Sequence, residues 1–147
     1  MLKHIQAVIF DCDGVLFDTR DANRAYYNHI LRHFGLPAMT PEQFEFVHMH
    51  TVDAAIAHLF SDARCIESVH QFRKTLRYAD FFQFMQIDPH LFALLDKLNP
   101  VCHTAIATNR SDTMGPLMTE FDLHGRFDMV VTSLDVKQPK PHPEQLQ

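Results

Sequence analysis

Residues Ala7 to Thr19 constrain this chain more than any other stretch. Ala7-Val8-Ile9-Phe10 is an unbroken apolar run that leads straight into Asp11-Cys12-Asp13-Gly14. A short apolar run bounded by a turn signal suits a strand buried on both faces, as in a parallel sheet. Asp11 then falls at the carboxyl end of that strand, where open α/β sheets place their chemistry. Gly14 permits a sharp turn there. Two carboxylates so close repel each other when both are ionised, so the pair wants a cation or a shared proton.

Composition narrows the function classes. A chain of 147 residues, 46% of them hydrophobic, is long enough to bury a core. A net charge of -5 and a pI near 6.1 argue against an electrostatic nucleic-acid binder. No apolar run reaches membrane-spanning length, and Asp11 and Asp13 interrupt any signal-peptide pattern, so a cytoplasmic protein without a membrane partner is expected. Cys12, Cys65 and Cys102 are scattered, which suits reduced thiols and packing rather than a disulfide framework. None begins a C-x5-R phosphatase loop, and the glycines support neither a P-loop nor a dinucleotide fingerprint. The eleven histidines form no constellation with zinc-ligand spacing and read as surface or half-buried polar residues.

Beyond the first strand the pattern becomes helical. Ala22, Tyr26, Ile30 and Phe34 give one apolar face from Arg20 to Phe34, closed by Gly35 and Pro37. Thr40-Pro41-Glu42-Gln43 opens a second helix with a capping box. Thr51 to Phe60 predicts a third, and Ile66, Val69, Phe72 and Leu76 mark a fourth. Asp88-Pro89 starts a helix carrying Leu91, Leu94, Leu95 and Leu98, stopped at Asn99-Pro100. Cys102 to Ala107 predicts a second strand, ending in Thr108-Asn109-Arg110. Ser111 or Asp112 is the expected cap of a helix bearing Met114, Leu117, Met118 and Phe121, closed near Gly125, and Asp128 to Thr132 predicts a third strand. Strand, helix, strand, helix, strand implies right-handed crossovers and a parallel α/β sheet. The helices before Asp88 form an all-helical insertion after the first strand.

Asp11-Cys12-Asp13-Gly14-Val15-Leu16-Phe17-Asp18-Thr19 resembles the first motif of the haloacid dehalogenase-like hydrolases, in their phosphatase and phosphomutase branch. The resemblance implies a Rossmann-like three-layer core at residues 1–18 and 85–147, with a helical cap at 19–84. Thr108 matches the family's second motif, whose hydroxyl holds a phosphate oxygen, and Asn109 can add its backbone N–H. Lys140, in Lys140-Pro141-His142-Pro143, resembles the third motif and would offset charge on the nucleophile and the phosphoryl group. The implied mechanism has Asp11 attack phosphorus to form an aspartyl phosphate while Asp13 protonates the leaving group and later activates water. Mg²⁺ would bridge the Asp11 carboxylate, the Asp13 main-chain carbonyl and the phosphate. Cys12 is assigned to packing, and Asp18 and Thr19 to anchoring the cap. His48, His50, Arg73, Lys74 and Arg77 are candidate cap contacts to a small phosphorylated metabolite.

The family's fourth motif, a Gly-Asp pair with a later Asp, has no counterpart between Lys140 and Gln147. The expectation is therefore the front part of a longer hydrolase, truncated after the third strand, with weak Mg²⁺ binding and reduced turnover. The family's strand order, 5-4-1-2-3, would then leave Ala7 to Phe10 as an apolar edge liable to pair with another chain, a homo-oligomer included. A sugar phosphomutase resembling β-phosphoglucomutase is the alternative enzyme. From another class comes a non-catalytic phosphate-binding or dimerising module retaining Asp11, Thr108 and Lys140. A dehalogenase fits less well because that branch lacks the second aspartate, and a receiver domain leaves no room for the helical insertion.

Overall fold

The computed structural model describes residues 5–50 and 52–147, and the chain divides into two compact units. One comprises Met1–Thr19 with Gln86–Gln147, the other Arg20–Met85.

The first unit is built on a parallel sheet of β1 (Ala7–Phe10), β4 (His103–Ala107) and β5 (Met129–Val131), in the order β1-β4-β5. Ile9 faces Ala105 and Phe10 faces Ile106 across one pair, while Ala107 faces Val131 across the other. This register brings the carboxyl ends of all three strands to one end of the sheet. The first strand is not buried on both faces as its composition suggests. It occupies a sheet edge, its residues are exposed or half-buried, and Ile9 keeps 47% of its surface. The buried central position belongs to β4, where Thr104, Ile106 and Ala107 are almost fully enclosed.

α5 (Leu91–Leu98) buries Leu91, Leu95 and Leu98, and α6 (Met114–Glu120) buries Met114, Leu117 and Met118. Both helices start later than their sequence signals. Asp88 accepts the His90 N–H at 2.7 Å in a turn, so α5 begins only at Leu91. α6 is not capped by Ser111 or Asp112, whose side chains bond each other at 3.0 Å. Thr113 occupies the N-cap position but its side chain makes no capping bond, and the Met114 N–H reaches the Ser111 carbonyl at 3.2 Å. Nor does Gly125 close this helix. Asp122, at φ 52°, does so, and the Leu123 N–H returns to the Met118 carbonyl at 2.9 Å. A two-stranded antiparallel ribbon, β2 (Phe17–Asp18) with β3 (Gln86–Ile87), completes the unit. Asp18 lies in this ribbon, and Thr19 behind it is buried.

The second unit holds α1 (Arg20–His33), α2 (Pro41–Met49), α3 (Val52–Leu59), α4 (Ala63–Arg73) and a 3-10 helix at Tyr78–Phe84. α1 ends on Gly35 at φ 72°, with the Leu36 N–H on the Leu31 carbonyl. At α2 both halves of the expected capping box form: Thr40 Oγ1 accepts the Gln43 N–H, and Gln43 Oε1 accepts the Thr40 N–H. Thr51 lies outside the described residues. α4 stops at Arg73, short of Leu76, as the chain tightens through i to i+3 bonds at Thr75 and Leu76.

Phe44, Ile30, Ile56 and Val69 are fully enclosed in this unit. Tyr26 packs against Tyr27, Tyr78 and Phe81 with ring centroids 5.2–5.4 Å apart. Several histidines here serve as flat packing surfaces rather than isolated polar groups. His33 stacks on Phe72 at 3.6 Å, and His50 and His58 stack on Phe46 at 3.9 and 4.0 Å. Among the described residues no helix is long and apolar enough to cross a membrane.

Candidate active site

The turn after β1 carries the two carboxylates. Gly14, at φ 76°, donates its N–H to the Phe17 carbonyl at 2.8 Å, and the Cys12 carbonyl accepts from Leu16 and Phe17 at 2.9 and 3.2 Å. Cys12 is therefore in a turn, not an extended segment, yet it is fully buried. Its thiol is pushed up to about 12, first by burial and next by the neighbouring Asp13 carboxylate. It stays a neutral packing group at neutral pH.

Lys140 and Asp11 meet although they are far apart in sequence. Lys140 Nζ donates to Asp11 Oδ1 at 2.7 Å and to the Ala107 carbonyl at 2.9 Å. The Cys12 N–H donates to the same Oδ1 at 2.7 Å. Both bonds fall on one oxygen of a side chain 46% exposed, so the carboxylate is fixed in orientation, and none of the described residues bonds Oδ2. That is the state a nucleophilic carboxylate needs: aimed, charge-compensated and unengaged at one oxygen.

Thr108 continues the sheet through its N–H, which reaches the Val131 carbonyl at 2.9 Å. Its hydroxyl accepts the Arg110 N–H at 3.1 Å, which leaves the hydroxyl proton to donate. Buried Gln145 holds the Thr108 carbonyl at 2.9 Å. Asn109 does more than lend a backbone donor. Its side chain accepts the Lys140 N–H and donates to the Lys140 carbonyl, both at 3.0 Å. This reciprocal pair fixes the backbone from which the lysine reaches Asp11.

Arg110 was not legible as a site residue. Its side chain is only 8% exposed and faces Asp13. Arg110 Nε lies 2.9 Å from Oδ2 and 3.2 Å from Oδ1, and NH2 lies 2.6 Å from Oδ1. A fork on a carboxylate is the strongest geometry an ion pair can adopt. The one signal in the sequence was its position two residues after Thr108.

The donor set can be tested against Mg²⁺. Asp11 Oδ2 is a hard oxygen donor that no described residue bonds, whereas both Asp13 carboxylate oxygens are engaged by Arg110. Asp13 could therefore contribute its main-chain oxygen rather than its side chain. Among the described residues no group of three or more histidines, cysteines or acids is gathered for a metal. A sparse oxygen set completed by water and phosphate is how Mg²⁺ is usually held, and the residues fit that ion.

Residues 8–147 match the model of the haloacid dehalogenase-like hydrolases. The chain belongs to that family. It is 28% identical to the pyrophosphatase PpaX of Bacillus velezensis, over 97% of this chain and 66% of that protein. It is 27% identical to the phosphoglycolate phosphatase of Photorhabdus laumondii, over 97% of this chain and 64% of that one. A subfamily IA, variant 1 hydrolase of this superfamily from Geobacter sulfurreducens superposes with a TM-score of 0.89 at 33% identity, over 97% of this chain and 69% of that structure. The chain thus spans 64–66% of the length of these two curated relatives.

The other residues singled out for substrate contact lie in the helical unit, each with partners of its own. His48 Nδ1 lies 3.4 Å from Asn23, whose amide oxygen accepts the Tyr78 hydroxyl at 2.8 Å. His50 donates through Nδ1 to the Phe46 carbonyl at 2.7 Å. Arg73 stands 4.0 Å from Asp53, and Arg77 pairs with Asp80 at 2.8 Å. Lys74 closes α4, its N–H on the Gln71 carbonyl at 3.2 Å.

Proposed function

We propose that the intact protein is a Mg²⁺-dependent phosphomonoester hydrolase acting through an aspartyl phosphate on a small phosphorylated metabolite. The observation that carries this reading is the Lys140–Asp11 contact at 2.7 Å, with Oδ2 bonded by none of the described residues. Asp11 Oδ2 attacks phosphorus, and the bond from phosphorus to the ester oxygen breaks. Asp13, once it has left Arg110 and taken a proton from solvent, gives that proton to the ester oxygen and, in the second half, takes one from the water that cleaves the acyl phosphate. Lys140 balances charge on Asp11 and on the transferring group. The Thr108 hydroxyl and the Asn109 N–H bind phosphate oxygens. Mg²⁺, held by the Asp11 carboxylate and the Asp13 main-chain oxygen, would supply the charge neutralisation that lets a carboxylate approach a phosphate.

The names of the relatives, a pyrophosphatase and a phosphoglycolate phosphatase, support a small anionic phosphate substrate. The test is Mg²⁺-dependent phosphate release from p-nitrophenyl phosphate by the full-length gene product, with Asp11→Asn as control. Release that disappears in the variant is expected. Equal release by Asp11→Asn would overturn the reading.

A further inference from the structure

The loop at residues 137–142 carries Lys140, and neither helix nor strand shapes it. Pro139 and Pro141 have no N–H to donate. Each of the other N–H groups in the loop has a partner. Those of Lys137 and Gln138 go to Glu144 Oε1 and Oε2, at 2.9 and 3.0 Å. The Lys140 N–H goes to Asn109 Oδ1 at 3.0 Å, and the His142 N–H to the Pro139 carbonyl at 3.1 Å. Only the last of these acceptors is main chain. Side chains, in place of a ladder, therefore fix the path of the loop.

Glu144 closes the neck of this loop. Its two oxygens each take one of two successive N–H groups, a charge-assisted pair that joins residues 137 and 138 to residue 144. The Glu144 backbone sits in a 3-10 turn, Pro143–Leu146, opened by the His142 side chain, whose Nδ1 accepts the Glu144 N–H at 3.3 Å. Gln145, next in that turn, is 5% exposed and donates to the Thr108 carbonyl at 2.9 Å. The neck is thereby tied to Thr108 and the tip to Asn109, beside the Ala107 carbonyl that Lys140 Nζ also reaches. We infer that Glu144 is a positioning residue: by holding the neck of the loop, it aims the Lys140 ammonium at Asp11. Both its oxygens are engaged by main chain, so it acts through the loop and not on the substrate. Without it, Asn109 alone holds the lysine backbone, and the long side chain regains freedom to swing away from Asp11. This inference rests on the role proposed above for Lys140.

The test uses the full-length protein with Mg²⁺ and p-nitrophenyl phosphate. Glu144→Ala removes both acceptors while Asn109 still holds the tip. Its kcat should fall by about tenfold, short of the roughly 100-fold that a full ångström of misplacement costs. KM should change by less than about twofold, because the loss is in the chemical step. Glu144→Gln keeps one acceptor oxygen and should fall between the parent and Glu144→Ala. In a Lys140→Ala background, Glu144→Ala should lower kcat no further, since the group it aims is gone. An equal loss in both backgrounds, or an unchanged kcat in Glu144→Ala, overturns the inference. A second readout needs neither turnover nor the alanine variant. Lys140 is held by Asp11 and the Ala107 carbonyl, so acetic anhydride should modify it slowly in the parent relative to exposed Lys97. In Glu144→Gln that ratio should rise several-fold, as peptide mass mapping would show. Equal protection in the parent and Glu144→Gln also overturns the inference. If acetylation changes as expected but the parent releases phosphate from no ester, the positioning stands and the hydrolase reading fails instead.

Discussion

Asn109 spends its side chain on Lys140, so its replacement should act on a lysine far away in sequence. Asn109→Ala removes both 3.0 Å bonds to the Lys140 backbone and lets the ammonium drift from Asp11. Misplacing a charged group at a reacting centre by an ångström costs about 100-fold, and we expect a loss in kcat of about that size, with KM changed far less. Steady-state kinetics on p-nitrophenyl phosphate checks it. Cys12 gives a second prediction. Its thiol is buried and pushed up to about 12, whereas Cys65 and Cys102 are half-buried. At pH 8, iodoacetamide should label Cys65 and Cys102 in the folded protein and spare Cys12, as peptide mass mapping would show. At this scale the apolar run before Asp11 singled out Asp11 and Asp13 as candidates, whereas Thr108 and Lys140 became candidates only through the resemblance to the family's motifs. The sequence concealed Arg110, since a lone arginine after a strand looks like any solvated charge until its partner is known.

The turn after β1 and the start of α2 show what elements owe to single residues. Gly14 sits at φ 76° with open space where a Cβ would fall, so Gly14→Ala meets no clash and pays only for the left-handed backbone. The expected loss is about 1–2 kcal/mol, read by urea denaturation. Thr40→Ala breaks the capping box of α2 and should cost about 1 kcal/mol. Helices were readable in outline because their apolar faces repeat. Their ends were readable only where local chemistry was unambiguous, as at Thr40-Pro41-Glu42-Gln43. α6 misled because Ser111 and Asp112 bond each other and because an aspartate, Asp122, took the left-handed position that glycine usually fills. The β2–β3 ribbon has two residues per strand, too few for any alternation to register.

Across the whole molecule, each of the two units carries buried acids that must stay protonated to remain folded. Cys12 in the sheet unit rises from 9.0 to about 12, chiefly through burial. Tyr26 in the helical unit rises from 10.0 to about 12, and Tyr27 is raised further, again chiefly through burial. A folded-state pKa above the unfolded one means the native protein holds its proton longer. Stability from these groups is complete below pH 9 and is lost as pH climbs from about 9 to 12. The urea midpoint should therefore fall steadily over that window, and Cys12→Ala should make the fall shallower for the sheet unit. The family resemblance sets a core at residues 1–18 and 85–147 and a helical cap at 19–84, and by their own contacts the described residues group as Met1–Thr19 with Gln86–Gln147 and as Arg20–Met85. The exposure of β1 could be expected only from the strand order of the family, since its four residues read as a buried strand.

The central claim is that Asp11 becomes covalently phosphorylated. The most direct measurement is an acid quench of the full-length protein during turnover, followed by borohydride reduction and peptide mass spectrometry. Homoserine is expected at position 11 in the quenched sample, and none when substrate is omitted or in Asp11→Asn. Rapid phosphate release with position 11 recovered only as aspartate throughout the time course would contradict it.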